Sequence, residues 1–281
     1  MEQQLQHTRD QQGDLLNKFY AGWRKGDELF YEFLKPIGNE IIRLIHSKRN
    51  HFVLDVGSGS GEPGLTIASM LDDGKVIIAD LAEDRLEIAR ENAMQRGIKN
   101  YETIACDVCD LPFADNTFDA ISCRFGFMFF PNMLLAAKEM ARVLKPGGKI
   151  ATSVWNVPEK NFWITTVMDA IKNNMESPPS DAGAPGMFRG AENGIIADLF
   201  SQAGLKNILV KEVNGKLACN TAAVYWDVMT QVAAPLVASL AKADFPTKAK
   251  IRRRVFQAIN QRYRNGNIMI HSSALVISGE K

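Results

Sequence analysis

Residues 55–64 read Asp-Val-Gly-Ser-Gly-Ser-Gly-Glu-Pro-Gly, with four glycines in the eight positions 57–64. An apolar run, His51 to Val56, enters this segment, and residues 62–71 leave it with a helical pattern. Glycine is the residue that reverses a chain this tightly and lets a ligand approach where a Cβ would stand. A helix starting just beyond would present free N–H groups and a positive dipole end, suited to a carboxylate or phosphate. A strand, a glycine turn and a helix in succession restrict the chain to a small set of α/β folds.

The rest of the chain is consistent with that restriction. Lys75–Ala79, Tyr101–Ala105, Thr117–Ser122 and Lys149–Val154 read as further strands. Helices are expected at about 83–96, ending at Gly97, and at 132–144, stopping at Lys145-Pro-Gly-Gly148. Strands alternating with helices build βαβ units with right-handed crossovers and a parallel sheet. Further helices are expected near 161–175 and at Ile195–Phe200, the latter ending at Gly204 as a C′ glycine. A sixth strand spans Asn207–Val213, helices cover about 221–242 and 246–264, and a last strand runs Ile270–Ser278. The first fifty residues are helical in pattern, and Pro36 should kink or split the helix there.

Composition excludes several classes. Apolar residues make up 46% and charged residues 23%, which is globular rather than disordered or fibrous. Lys and Arg number 33 against 32 Asp and Glu, so a net charge of +1 gives no overall field toward nucleic acid or an anionic membrane. No apolar run approaches the 20 or so residues of a membrane span. The polar start, Met1 to His7, lacks the apolar core of a signal peptide, and four cysteines make no disulfide framework. The expectation is a cytoplasmic protein without a membrane-integral segment.

Two ligand chemistries fit the turn. Gly59-x-Gly61-x-x-Gly64 matches the dinucleotide template, and Asp80 lies 21 residues after Gly59. Asp55, however, ends the first strand just before the glycines, where a pyrophosphate would meet a like charge. A carboxylate there suits a ligand with a cationic amino group. The turn lacks the Gly-Lys-Ser/Thr ending of a triphosphate loop. Asp80, ending the second strand, can accept both hydroxyls of a ribose. Asp107, after the third strand, can accept from an exocyclic amine.

These motifs resemble those of the class I S-adenosylmethionine-dependent methyltransferases. The matching segments are Asp55-Val-Gly-Ser-Gly-Ser-Gly61, Asp80, Asp107-Val108, Leu111-Pro-Phe113, Asn116-Thr-Phe-Asp-Ala120, Arg142-Val-Leu-Lys-Pro-Gly-Gly-Lys149 and Ala203-Gly204. In detail the chain is similar to the small-molecule branch typified by the ubiquinone and menaquinone C-methyltransferases. The likeness is strong over about 50–155 and moderate over 190–213. It implies a doubly wound seven-stranded sheet, mostly parallel with an antiparallel last strand, carrying a helical cap. It implies a cofactor, S-adenosylmethionine, converted to S-adenosylhomocysteine, and a small-molecule methyl acceptor. Asp55 and the backbone of Gly57, Ser58, Gly59 and Gly61 would hold the methionine part. Asp80 would hold the ribose with Leu81 against the adenine, and Asp107 and Val108 would meet the adenine edge. Cys123-Arg124-Phe125 would line the methionine moiety and donor methyl. At the end of strand four the chain lacks the Asn/Asp-Pro-Pro-Tyr/Phe motif of amino-methylating DNA enzymes.

Three segments are then implied: an N-terminal helical part, 1–48; a cofactor-binding core, 49–155, 191–213 and 269–281; and helical insertions, 156–190 and 214–268. Phe19, Tyr20 and Trp23 share a helix face and are expected to close on the cofactor, Trp23 in contact with it. The insertions, both leaving the ligand edge, are expected to roof the acceptor, with Phe188 and Trp226 lining it. His271, starting the antiparallel last strand, is the histidine that topology places at the ligand edge and the candidate general base. Cys106-Asp-Val-Cys109 lacks a second pair or nearby histidines, so no metal site is expected. Lys248-Ala-Lys-Ile-Arg-Arg-Arg254 reads as the solvated face of a helix whose other face is apolar. A nicotinamide-dependent oxidoreductase and a non-catalytic cofactor-binding module are the rival readings.

Overall fold

The structure is a computed structural model that describes residues 27–175, 183–192, 194–232, 234–264 and 268–281. In chain order its elements are α1 (Asp27–Ile45), β1 (Phe52–Val56), α2 (Gly64–Ala68), β2 (Lys75–Asp80), α3 (Glu83–Gln95), β3 (Tyr101–Ala105), β4 (Phe118–Arg124), α4 (Met133–Val143), β5 (Leu144–Trp155), α5 (Phe162–Lys172), α6 (Ile195–Gln202), β6 (Lys206–Cys219), α7 (Ala222–Val232), α8 (Ala234–Ala241), α9 (Phe245–Arg262) and β7 (Ile268–Glu280). Cα packing divides the chain into two compact units. A sheet unit takes 35–157, 183–213 and 273–281, and a helical unit takes the described residues up to Leu34 and those of 158–182 and 214–272.

The seven strands lie in the order β3-β2-β1-β4-β5-β7-β6. β1 pairs parallel with β2 and with β4, β2 with β3, and β4 with β5; β7 runs antiparallel to its neighbour β5, Ala151 facing Ser278. The expected doubly wound sheet with an antiparallel last strand is therefore what the chain builds. Apart from Asp55 and the end residues Lys75 and Asp80, β1 and β2 are apolar because both faces are covered: Val53, Leu54, Val76 and Ile78 are all buried. One face packs Leu54, Ile77, Phe118, Ile121, Met140, Phe127 and Phe200 into a single core. Strand order reverses between β1 and β4, and the carboxyl ends of these strands are the ligand position of such sheets.

Local chemistry explains the element ends. After α6, Gly204 adopts φ +85°; its N–H donates to Ser201 O at 2.9 Å and the Leu205 N–H donates to Phe200 O at 3.0 Å. This is the paired C-terminal closure expected at this glycine. Other boundaries depart from expectation. Pro36 does not split α1, which runs unbroken through it with Pro36 exposed. Among the described residues the stretch 221–242 is helical over Ala222–Val232 and Ala234–Ala241. Leu144 already pairs with Phe118, and the register then jumps to Ala120 against Lys149. The stop signal Lys145-Pro-Gly-Gly148 is thus an excursion within β5, closed by Gly147 N–H on Lys281 O at 2.9 Å and Lys281 N–H on Gly148 O at 3.1 Å.

The helical unit has its own core. The Tyr225 hydroxyl, fully buried, donates to Trp163 O at 2.7 Å, and Phe33 meets Trp163 edge-on at 5.1 Å. Ile251, Val255 and Ile259 bury one stripe of α9. No helix among the described residues is long and apolar enough to cross a membrane.

Candidate functional site

The glycine turn is built as its composition demands. Gly57, Gly59 and Gly61 have φ of +61°, +56° and +100°, conformations that side chains resist. The Ser58 N–H and hydroxyl both donate to Ala79 O, at 3.1 and 3.2 Å, tying the turn to β2. Asn92 of α3 donates to Ser60 O at 3.0 Å and pins its crest. The expected helix over 62–71 shrinks to the five residues of α2, and its leading N–H is already in use. Gly64 N–H donates to Asp55 Oδ2 at 3.0 Å, so the anchor of this helix start is a residue of the chain.

Asp55 lies fully buried beneath the turn. Its other oxygen accepts from the Ser122 hydroxyl at 2.6 Å. Burial pushes its carboxyl up to about 7, against the pull of Ser122, the Gly64 N–H and the Arg124 charge. A Cβ on Gly64 would stand 2.8 Å from Asp55 Oδ2, which fixes glycine at that position.

Asp80, also buried, closes the other side. Its Oδ2 accepts from Gly59 N–H at 2.9 Å and its Oδ1 from Ala82 N–H at 3.0 Å. Burial raises its pKa, opposed by the backbone N–H groups of Ala82, Gly59 and Leu81. Arg85 Nη1 lies 3.4 Å from Asp80 Oδ2 and 3.6 Å from where a Gly59 Cβ would be. Leu81 is 41% exposed, an apolar surface beside a buried carboxylate. Past β3, Asp107 Oδ1 accepts from Cys109 N–H at 2.9 Å in a local turn, and Val108 is buried.

Beyond β4, Gly126 Cα lies 3.6 Å from where a Gly57 Cβ would be, so the segment after β4 backs directly onto the turn. Phe125 holds φ +60°, rare for an aromatic residue, and its N–H donates to Ser153 O at 3.1 Å. Its ring stacks on Trp155 at 4.1 Å with planes 18° apart, joining the carboxyl ends of β4 and β5. Such backbone strain collects at sites where geometry serves function. Arg124 Nη1 lies 3.6 Å from where a Gly38 Cβ would stand. Phe130 braces both glycines, its Cε1 3.6 Å from a Gly57 Cβ position and its Cζ 2.8 Å from a Gly126 Cβ position. The Arg189 guanidinium donates to Phe130 O at 2.6 Å and holds this brace.

The sheet unit therefore places Asp55, Gly57, Ser58, Gly59, Gly61, Asp80, Leu81, Arg124 and Phe125 at the carboxyl ends of β1, β2 and β4. Asp107 and Val108 follow β3, at the same carboxyl edge. Trp23, with Phe19 and Tyr20, lies outside the described residues. His271 is exposed on β7, three residues before Ala274, which pairs with Trp155. Phe188 belongs to the sheet unit and Trp226 to the helical unit, both half-buried. No cluster of metal-ligating side chains occurs among the described residues. Sequence reasoning missed Arg85, Phe130, Trp155 and Arg189. Trp155 was within reach, because the end of β5 must adjoin the end of β4. Arg85 and Arg189 carry no pattern that separates them from ordinary surface arginines.

Comparison with known proteins points one way. Residues 53–148 match the model of a methyltransferase domain. The demethylmenaquinone methyltransferase of Listeria monocytogenes is 29% identical over 207 residues, 68% of this chain and 79% of that protein. Among solved structures, YcgJ from Bacillus subtilis superposes with a TM-score of 0.56 at 20% identity, covering 87% of this chain and 97% of that one. A Haemonchus contortus N-methyltransferase, solved with phosphomonomethylethanolamine and S-adenosylhomocysteine, gives 0.56 at 16% identity, covering 96% of this chain and 59% of that one. At these identities the two structural likenesses are likenesses of fold. None of these matches supports the dinucleotide reading.

Proposed function

We propose that this chain, whose residues 53–148 match a methyltransferase domain, is an S-adenosylmethionine-dependent methyltransferase that methylates a small-molecule acceptor where the carboxyl ends of β1 and β4 meet. The residues present suit the cofactor part by part. Asp80 is a buried carboxylate at the end of β2 that would accept from a vicinal diol, and the exposed Leu81 beside it offers an apolar face to a purine. Asp107 and Val108 would meet the edge of that purine. The Gly57–Gly61 backbone, with Asp55 beneath, would hold the amino-acid end, and Arg124 and Phe125 would face the sulfur.

When bound, S-adenosylmethionine supplies an electrophilic methyl group on a positively charged sulfur. The chain's own work is to align and to exclude water. Phe125 and Trp155 make an apolar wall at the strand ends, and a desolvated site favours a step in which the sulfonium charge is dispersed, or neutralised by an anionic acceptor. Alignment at roughly 3–3.5 Å supplies much of the remainder. An amine acceptor has only to arrive neutral; a carbon or oxygen acceptor must lose a proton, and His271 is the proposed base for that case. The acceptor to try first is of the class named for the Listeria relative, a demethylated menaquinone-like ring.

The observation that carries this reading is Asp80, fixed by Gly59 and Ala82 at the end of β2. Calorimetric titration tests it: S-adenosylhomocysteine should bind with a Kd of about 1–100 μM, and NAD should give no saturable heat. Saturable NAD binding without S-adenosylhomocysteine binding would reverse the assignment.

A further inference from the structure

The near-neutral net charge conceals a strong local imbalance. α9 carries Lys248, Lys250, Arg252, Arg253, Arg254 and Arg262 and no acidic residue, in a chain whose net charge is +1, so the remainder is net acidic. Its buried stripe, Ile251, Val255 and Ile259, is used by the core of the helical unit, where α9 packs on α5 and α7. Lys250, Arg252, Arg253 and Arg254 are all exposed. The acidic residues of the two supporting helices are Asp169 and Asp227, and Asp244 caps α9 by accepting from Thr247 N–H at 2.9 Å. Three carboxylates do not balance this face.

A second feature gives the face a direction. Phe245 is 84% exposed, the most exposed large apolar side chain among the described residues. Phe245, Ala249, Arg252 and Phe256 follow at i, i+4, i+7 and i+11, one stripe along the helix distinct from the buried one. The Arg252 guanidinium lies 4.9 Å over the Phe256 ring. An arginine laid along an apolar side chain keeps its charge at a polar boundary while its stem covers oil-like surface.

We propose that α9 is a surface-seeking helix that docks the protein on anionic lipid bilayers, Phe245 entering the headgroup–acyl boundary and the arginines pairing with lipid phosphates. A helix with one basic face and an isolated exposed aromatic lies in the plane of such an interface. Anionic headgroups supply the charges that this face lacks. At 18 residues α9 spans about 27 Å, enough to lie along a membrane surface, and it is too charged to cross one. A nucleic acid would satisfy the charges as well. The lipid surface is favoured because Arg252 covers the Phe256 face on which a base would stack, and Phe245 stands alone.

Vesicle co-sedimentation of the whole protein tests this. At about 0.05 M salt it should pellet with phosphatidylcholine vesicles containing phosphatidylglycerol and not with phosphatidylcholine alone; at about 0.5 M salt binding should fall at least tenfold. Lys250→Glu/Arg253→Glu/Arg254→Glu should abolish pelleting, and Phe245→Ser should weaken it several-fold, both keeping wild-type affinity for S-adenosylhomocysteine. No pelleting of the wild-type protein with anionic vesicles overturns the proposal. So does equal pelleting of the triple variant, or release of the protein from vesicles by stoichiometric polyuridylate.

Discussion

Replacing Asp80 by alanine should lower affinity for S-adenosylhomocysteine by about 100-fold or more, because a charged hydrogen bond contributes about 1.5–3 kcal/mol and the ribose offers two. The structure adds a cost in the free protein. Asp80 also accepts from Gly59 and Ala82 N–H, and leaving buried donors unpaired costs about 1–3 kcal/mol each. The variant should therefore melt earlier and still fold, with the far-ultraviolet circular dichroism of the parent. The Asp80→Asn variant separates the two roles. It keeps a carbonyl acceptor for Ala82 but sets an NH2 donor against the Gly59 N–H, so it should be more stable than the alanine variant while still losing affinity. A folded alanine variant binding as tightly as wild type would remove Asp80 from the site.

Asp55 should make stability fall as pH rises. Its pKa is 3.8 in the reference state and about 7 when folded, so the folded protein holds a proton that the unfolded chain releases between those values. Stability from this group is complete below pH 3.8 and is lost as pH climbs through about 7, by up to about 4 kcal/mol. Other carboxylates oppose it: Glu40, Asp119 and Glu139 are held below their usual values by Arg43, Lys145 and Arg142. The clean reading is the difference between wild type and Asp55→Asn. The amide can donate to a rotated Ser122 hydroxyl and accept from Gly64, so the variant keeps both hydrogen bonds without titrating. Denaturant melts from pH 4 to pH 8 should show the variant gaining on wild type across that range. A difference independent of pH would mean that Asp55 is ionised throughout.

The ligand edge was legible because its residue types are forced. Positive φ at 57, 59 and 61 favours glycine, strands buried on both faces are mostly apolar, and a carboxylate ending β2 stands beside the glycine turn, where it accepts from Gly59 N–H. The excursion at Lys145–Gly148 was not legible. Its Pro-Gly-Gly says that the chain turns, and only the pairing of Leu144 with Phe118 says that the strand has already begun. Pro36 misled because a helix interior can tolerate a proline on its exposed side, where the ring faces water. Arg189 and Phe130 were hidden for a different reason. Their 59-residue separation closes only in three dimensions, through one guanidinium on one carbonyl. The α9 face shows the limit of bookkeeping by totals, since a net charge of +1 fits both an even mixture and a segregated helix.

The central claim is methyl transfer, and one measurement meets it directly. The protein is incubated with S-adenosylmethionine carrying a trideuteriomethyl group and a metabolite extract that includes demethylated ring compounds, and the products are read by mass spectrometry. The account predicts a labelled small molecule, S-adenosylhomocysteine in equal amount, and neither with the Asp80→Ala variant. Intact S-adenosylmethionine bound to the protein, with no labelled product and no S-adenosylhomocysteine from any fraction of the extract, would contradict it.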